Sequence, residues 1–143
     1  MLPNEKIASG SRLGFIGLGY LGSRIARRLA LAGFPMVVYD TDHMKAAELS
    51  VFEANIARRP GELAGQVDVV LSCLPDEAAV ETVYLGTGNV LRNARPGTRI
   101  IELSTIAPAT SRQLHQAARE FGISMLDVAV SYTHLTLSTI YSV

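Results

Sequence analysis

Three glycines near the N-terminus have the spacing of a loop that can hold a phosphate. The stretch GFIGLGYLG places Gly17, Gly19 and Gly22 between a short apolar run and a segment of helical periodicity. The first glycine permits a tight turn, the second lets a pyrophosphate approach the backbone, and the third lets the helix pack closely on the strand. Amides at the start of that helix would point at the phosphate, where the helix dipole is positive. This pattern predicts a dinucleotide site formed by Gly17, Leu18, Gly19, Tyr20, Leu21 and Gly22.

A carboxylate at the end of the next apolar run bears on which dinucleotide binds. Asp40 ends PMVVYD, 18 residues after Gly22, where an acidic side chain can accept hydrogen bonds from ribose hydroxyls. The same charge would repel the 2′-phosphate of NADP, and NADP sites normally offer an arginine nearby, whereas YDTDHMK contains only Lys45. The sequence therefore predicts NAD as the cofactor, with NADP less favoured. An Asp40 that only caps the following helix would be compatible with either cofactor.

The segments that must position these residues alternate between strand and helix patterns. The predicted strands are RLGFIG, PMVVYD, a weak one near residues 55–57, VDVVLSCLP, TRIIELST and ISMLDVAV. Helical periodicity fills the intervals, and the helix after Pro108 is predicted to bury Leu114 and Phe121 among others. Parallel strands need such crossovers, so the alternation predicts an α/β protein with a Rossmann-type, doubly wound parallel sheet in a single domain.

Composition limits the classes of partner. The chain has 143 residues, of which 48% are hydrophobic and 18% charged, and its formal net charge is zero. No basic surface is indicated for nucleic acid, and no apolar run approaches membrane-spanning length, so we expect a cytoplasmic protein with neither kind of partner. Cys73 is the single cysteine, and His43, His115 and His134 lack metal-ligand spacing, so we expect no metal. The sequence does not indicate a Ser–His–Asp arrangement for nucleophilic catalysis.

Four motifs in order resemble those of the β-hydroxyacid dehydrogenases. They are GFIGLGYLGSRIARRLALAGFPMVVYD, VVLSCLPDEAAVETVYLG, IIELSTIAPATSRQL and MLDVAVS, and they extend over about residues 12–131. The resemblance implies that Leu74 and Pro75 lie over the cofactor, that Thr105 lies near the nicotinamide, and that Ser131 helps to hold a substrate carboxylate. Without the resemblance, Thr105 and the preceding serine would be interpreted as a polar strand end before a helix.

Two further acidic residues at strand ends, Glu102 and Asp127, have no role in that resemblance. Either can be site-adjacent or structural, and the sequence leaves the choice open.

The resemblance also implies an activity for the full-length protein. Members of the family transfer a hydride between a nicotinamide and a small β-hydroxy acid of the 3-hydroxyisobutyrate or tartronate semialdehyde type. Their general acid is a lysine in a helical domain that follows this one and mediates homo-oligomer formation. Lys6 and Lys45 are the only lysines here, and both lie far from any position matching that role. We therefore expect this chain to bind the cofactor without catalysing the reaction, and the sequence assigns it no catalytic residue.

The last residues depart from the family pattern. The family has two glycines after its substrate-binding serine, whereas Tyr132 and Thr133 follow Ser131, and no charged residue occurs after Asp127. One hypothesis is that residues 132–143 are foreign, because they resemble translated adapter read-through at the ends of some gene fragments. The alternative is a genuine C-terminal strand, since Thr, Tyr, Ile and Leu favour strands.

The resulting domain prediction has three parts: an N-terminal extension at residues 1–11, a dinucleotide-binding domain at 12–131, and a non-native tail at 132–143. If the protein truly ends at Val143, a stand-alone nucleotide-binding module becomes the better interpretation. A fragment of an imine reductase is a further alternative.

Overall fold

The computed structural model describes residues 7–128, and these form a single parallel sheet with helices on both faces. The six strands lie in the order β3-β2-β1-β4-β5-β6, and every neighbouring pair is parallel. Their bounds are β1 Leu13–Ile16, β2 Met36–Tyr39, β3 Asn55–Ile56, β4 Val69–Ser72, β5 Arg99–Glu102 and β6 Ser124–Asp127. This is the strand order of the doubly wound dinucleotide-binding fold, so the predicted fold class is confirmed.

Helices connect the strands, as parallel pairing requires. They are α1 Tyr20–Leu31, α2 His43–Glu48 with a 3₁₀ turn at Leu49–Phe52, α3 Pro60–Ala64, α4 Glu77–Leu85, α5 Val90–Asn93 and α6 Pro108–Glu120. The carboxylates of Asp42 and Asp76 cap α2 and α4 by accepting hydrogen bonds from the Met44 and Ala79 amides. No helix within residues 7–128 is long and apolar enough to cross a membrane.

The sheet divides the core into two layers. Adjacent residues of one strand point to opposite faces, so Val70 packs in one layer and Leu71 in the other, as do Ile100 and Ile101. Both layers are closed by helices, which explains why the central strands are continuous apolar runs. The carboxyl ends of these strands therefore form a rigid edge from which side chains can be held in position.

Two positions differ from the simplest interpretation of the sequence. Phe121, which helical periodicity predicted to be buried, is 40% exposed, because α6 ends at Glu120 and the direction of the next side chain is no longer set by the helix. Ile7, in the predicted extension, is fully buried in the core beside the β1 face, so the packed unit includes part of that segment.

Candidate functional site

The strand order of the sheet changes direction at the carboxyl end of β1. The chain proceeds from β1 to β2 on one side, and β4 lies on the other side of β1, so the winding direction reverses there. Crevices for ligands form at such switch points, beyond the carboxyl ends of the strands.

A cleft of about 820 Å³ opens at this edge. It is lined by the glycine loop, the ends of β2 and β4, and one side of α4. Of the predicted site residues, those lining it are Gly17, Gly19, Tyr20, Leu21, Gly22, Asp40, Leu74 and Pro75. The fold thus brings the first two of the four motifs together around one cavity.

Two of the three glycines are required by the fold itself. Gly17 has a φ of +96°, and a Cβ on it would overlap the carbonyl oxygen of Cys73. A Cβ on Gly22 would overlap the carbonyl oxygen of Gly17. These residues let the loop turn and let α1 pack against the end of β1, as the spacing predicted.

Gly19 differs from both. Its φ is −70°, an ordinary value, and a Cβ on it would meet nothing within 4 Å. It is the N-cap of the 12-residue helix α1, whose first amides have no partner within the helix. Gly19 thus has no side chain at a position where a side chain would project only into the open cleft. The residues present therefore fit a pyrophosphate at this helix N-terminus.

Asp40 ties the glycine loop to β2. One carboxylate oxygen accepts a hydrogen bond from the Leu18 amide at 2.7 Å, and the other accepts one from the Asp42 amide at 2.8 Å. The Leu18 side chain is only 2% exposed and packs in the core, so it lies outside the cleft lining. Leu18 thus contributes by holding the loop to the carboxylate rather than by facing the cavity.

Two basic residues, Lys45 and Arg59, line the cleft together with Asp40. The sequence argument on cofactor choice includes Lys45 but not Arg59. Arg59 lies just beyond the carboxyl end of β3 and before α3, so the order of strands places it at the same sheet edge as Asp40. The signal that could have found it is its position after a predicted strand.

One further predicted residue, Thr105, lies on the β5 side of this sheet edge. Thr105 is exposed just after β5 and is not among the residues that line the cleft. Leu74, which does line it, donates its amide hydrogen to the Ser104 hydroxyl at 2.6 Å, linking β4 to β5 at this edge. Ser131 and residues 132–143 lie outside the described part of the chain.

A comparison with protein families agrees with this geometry. Residues 12–135 match the model of the NAD-binding domain of 6-phosphogluconate dehydrogenase. The chain belongs to this family.

Relatives of this NAD-binding domain are hydroxyacid dehydrogenases. The chain is 40% identical to the NAD-dependent L-serine dehydrogenase of Pseudomonas aeruginosa over 120 residues, which are 84% of this chain and 40% of that protein. It is 37% identical over 124 residues to a probable mitochondrial 3-hydroxyisobutyrate dehydrogenase of Dictyostelium discoideum, covering 87% of the chain and 39% of the relative. The chain thus spans about 40% of the length of these relatives.

Solved structures show the same relationship. The 3-hydroxyisobutyrate dehydrogenase of Mycobacterium tuberculosis, solved with L-serine, superposes with a TM-score of 0.79 at 30% identity, over 85% of this chain and 41% of that one. A second neighbour, Psf3 in complex with NADP⁺ and 2-OPP, has a TM-score of 0.75 at 32% identity, over 79% of this chain and 40% of that one. The chain therefore has the fold and sequence of an NAD(P)-binding domain, and it is similar to that part of these proteins.

A Ser–His–Asp cluster exists in this NAD(P)-binding domain, although the sequence gave no argument for one. Ser111 and His115 on α6 meet Asp127 at the end of β6. The Ser111 hydroxyl donates to the Asp127 carboxylate, while His115 donates through Nδ1 to the Ser111 carbonyl oxygen at 2.8 Å. The serine proton is thus directed at the carboxylate and not at the imidazole. This arrangement joins α6 to β6 and cannot activate the serine as a nucleophile.

Within residues 7–128, no group of three or more His, Cys, Asp or Glu side chains is arranged to hold a metal ion.

Cys73 supplies a test of the cleft, because it lines the cavity and is the single cysteine of the chain. Burial, and secondarily the negative charge of Glu102, raise the pKa of its thiol from about 9 to about 11. The reactive thiolate is therefore scarce at pH 8, and we expect slow alkylation by iodoacetamide, with a rate that rises about tenfold per pH unit up to the pKa. NAD should slow the reaction further by covering the thiol.

The control is the same thiol in urea, where the unfolded chain should react at the rate of an ordinary cysteine. Rapid modification of the folded chain at pH 7, unaffected by NAD, would contradict this placement of Cys73.

Proposed function

We propose that this chain is the cofactor-binding part of an NAD-dependent dehydrogenase that acts on a small β-hydroxy acid, of the 3-hydroxyisobutyrate or tartronate semialdehyde type. The observation that carries the proposal is the open space at Gly19, beside the N-terminus of α1 and within the cleft that Asp40 also lines. The similarity to hydroxyacid dehydrogenases supports the substrate class.

Each predicted residue then has a distinct task. Amides of the glycine loop and of the first turn of α1 bind the pyrophosphate, and the Asp40 carboxylate binds the adenosine ribose. Leu74 and Pro75 cover the cofactor from the β4 side, and Thr105 lies near the nicotinamide. Bound NAD supplies the chemistry, which is hydride transfer at the nicotinamide ring, and the protein supplies orientation.

The substrate-facing part of the reaction belongs to the full-length protein. Ser131 holds the substrate carboxylate, and a lysine of a following helical domain acts as general acid. Neither Lys6 nor Lys45 takes that role in our proposal, so this chain binds cofactor without turnover. The dinucleotide-binding domain extends over residues 12–131 and packs Ile7 of the preceding segment into its core. Residues 132–143 are foreign to it, and the full-length protein is a homo-oligomer.

Calorimetric titration of the 143-residue chain with NAD tests the binding half of the proposal. We expect saturable binding, and no reduction of NAD when 3-hydroxyisobutyrate or L-serine is added. Absence of binding to NAD, NADP and ADP would contradict the proposed function. Sequencing the source gene beyond the codon for Ser131 tests the tail, because the proposal expects two glycine codons there.

Replacing Asp40 with alanine tests the preference for NAD. The substitution removes the acceptor for the ribose hydroxyls and also the charge that repels a 2′-phosphate. We expect NAD affinity to fall about tenfold, the equivalent of one hydrogen bond to a charged group, and NADP affinity to fall much less or to rise. Titration of both cofactors into the same preparation measures the difference.

Arg59→Ala is the matched variant, because it removes a positive charge from the cleft whereas Asp40→Ala removes a negative one. Because Arg59 lines the same cleft and a guanidinium binds phosphate, the substitution should weaken NADP more than NAD. In Asp40→Ala the Leu18 and Asp42 amides also lose their acceptors. Asp40→Asn removes the charge but keeps an acceptor oxygen for one of these two amides, so it reports the loss of charge with less damage to the loop. Equal losses of NAD and NADP in all three variants would remove the argument for NAD.

A further inference from the structure

A buried carboxylate lies directly behind the β4 side of the cleft. Glu102, the last residue of β5, is completely buried and is paired in register with Ser72, the last residue of β4. Its Oε1 accepts a hydrogen bond from the Ser104 amide at 2.6 Å, and its Oε2 accepts one from the Ser72 hydroxyl. The Ser72 hydroxyl also contacts the Tyr84 hydroxyl, so each buried polar atom of the group has a partner.

Both oxygens of the Glu102 carboxylate accept hydrogen bonds. Burial raises the pKa of Glu102 above its ordinary value, and the hydrogen bonds from Ser104 and Ser72 oppose this rise without cancelling it, while the negative charge of Asp127 on β6 adds to it. Tyr84 can donate to Ser72, which then donates to Glu102, so that no proton is left without an acceptor.

The hydrogen bonds of Glu102 form two branches, one through Ser72 to Tyr84 and one through Ser104, and the branch through Ser104 reaches the cleft. Ser104, which is held by Glu102, accepts a hydrogen bond through its hydroxyl from the Leu74 amide at 2.6 Å. Leu74 lines the cleft together with its neighbours Cys73 and Pro75. A continuous series of hydrogen bonds therefore runs from the buried carboxylate, through Ser104, to the backbone of the cleft wall.

The topology indicates which half of a dinucleotide meets this wall. Asp40 marks the adenosine side, because it ends β2, and the pyrophosphate loop follows β1 at the centre of the sheet. The other nucleotide must extend to the opposite side of β1, toward the carboxyl ends of β4 and β5. The Glu102–Ser104–Leu74 series lies at those ends.

We propose that Glu102 is a positioning residue for the nicotinamide half of the cofactor, acting through Ser104 on the Leu74 backbone. The inference rests on the proposed function, since it takes a dinucleotide as the ligand. If this position only stabilised the fold, an apolar side chain would be expected at the end of β5. Burying a carboxylate there lowers the stability unless all of its hydrogen bonds are made.

The experiment compares the affinities of the 143-residue chain for NAD⁺ and for ADP, which lacks the nicotinamide half. Ser104→Ala removes the acceptor of the Leu74 amide, and we expect it to weaken NAD⁺ binding about tenfold while ADP affinity stays unchanged. Glu102→Ala should do the same. Glu102→Gln should restore NAD⁺ affinity, because its amide oxygen can still accept from the Ser104 amide.

Tyr84→Phe is the matched control, because it removes a hydroxyl from the same buried group on the branch that does not reach the cleft. It should lower the melting temperature and leave the ratio of NAD⁺ to ADP affinity at the wild-type value. If Glu102→Ala fails to fold, Ser104→Ala still tests the contact between Ser104 and Leu74 on which the proposal depends, since Ser104 is only half-buried.

Three results would overturn the proposal. They are equal losses of NAD⁺ and ADP affinity in Ser104→Ala or in a folded Glu102→Ala, no loss of either ligand in one of these variants, or a Tyr84→Phe variant that changes the ratio as much as Ser104→Ala does. A wild-type chain that binds neither ADP nor NAD⁺ would instead contradict the proposed function itself, and this inference with it.

Discussion

Replacing Gly17 with alanine should destabilise the domain by about 3–5 kcal/mol, which is large for a single substitution. Two physical causes act together. The φ of +96° is unfavourable for any residue with a Cβ, at a cost of about 1–2 kcal/mol. The new Cβ would also overlap the carbonyl oxygen of Cys73, a backbone atom that cannot move without displacing the end of β4. Urea denaturation followed by circular dichroism measures the loss.

Gly33→Ala provides the matched control for that experiment. Gly33 has a φ of +99°, but a Cβ on it would meet nothing within 4 Å. Its substitution should therefore cost only the conformational part, about 1–2 kcal/mol. The difference between the two variants isolates the overlap with Cys73. Equal destabilisation by both would show that the contact between the loop and β4 is not as tight as the structure has it.

Replacing Gly19 with alanine should have the opposite signature, with cofactor binding lost and the fold retained. The residue has an ordinary φ and open space where a Cβ would stand, so we expect the free energy of unfolding to change by less than about 0.5 kcal/mol. The methyl group would occupy the volume that the pyrophosphate needs in order to reach the amides of α1. Loss of two hydrogen bonds to a charged group, about 3 kcal/mol together, corresponds to an affinity about a hundredfold weaker.

Calorimetric titration with NAD and with ADP measures this effect, since both ligands carry the diphosphate. Gly65→Ala is a suitable control, because Gly65 lies away from the cleft at the end of α3 with a φ of −72°. That variant should bind both ligands as the wild type does. Retention of full NAD affinity by Gly19→Ala would remove the observation on which the proposed function depends.

The secondary structure and the order of motifs could be predicted because both depend on the spacing of residue types within short segments of the chain. Apolar runs that stop at a glycine or at an aspartate identify strands, and helical periodicity between them implies crossovers and hence a parallel sheet. The same reasoning is weakest where an element ends, as at Phe121. There the helix terminates, and periodicity no longer determines which way the side chain points.

The candidate site was predicted in part, and the missing parts share a cause. The glycine loop and Asp40 could be predicted to lie together because a known spacing joins them, and both line the cleft. Arg59 was missed because no fixed spacing relates it to Asp40, although the end of β3 places it beside the same cleft. The cluster of Ser111, His115 and Asp127 was missed because α6 and β6 meet only in the folded chain.

By itself, the sequence determined a doubly wound parallel sheet and a tight glycine turn at the end of β1, because each depends on residues close together in the chain. It left open whether Glu102 is structural or adjacent to the site. Only the tertiary structure decided that Asp40 holds the Leu18 amide across 22 residues, and that Ser104 holds the Leu74 amide across 30. Such pairs depend on which strands become neighbours and in what register. That choice is made by packing the whole core, and no local pattern records it.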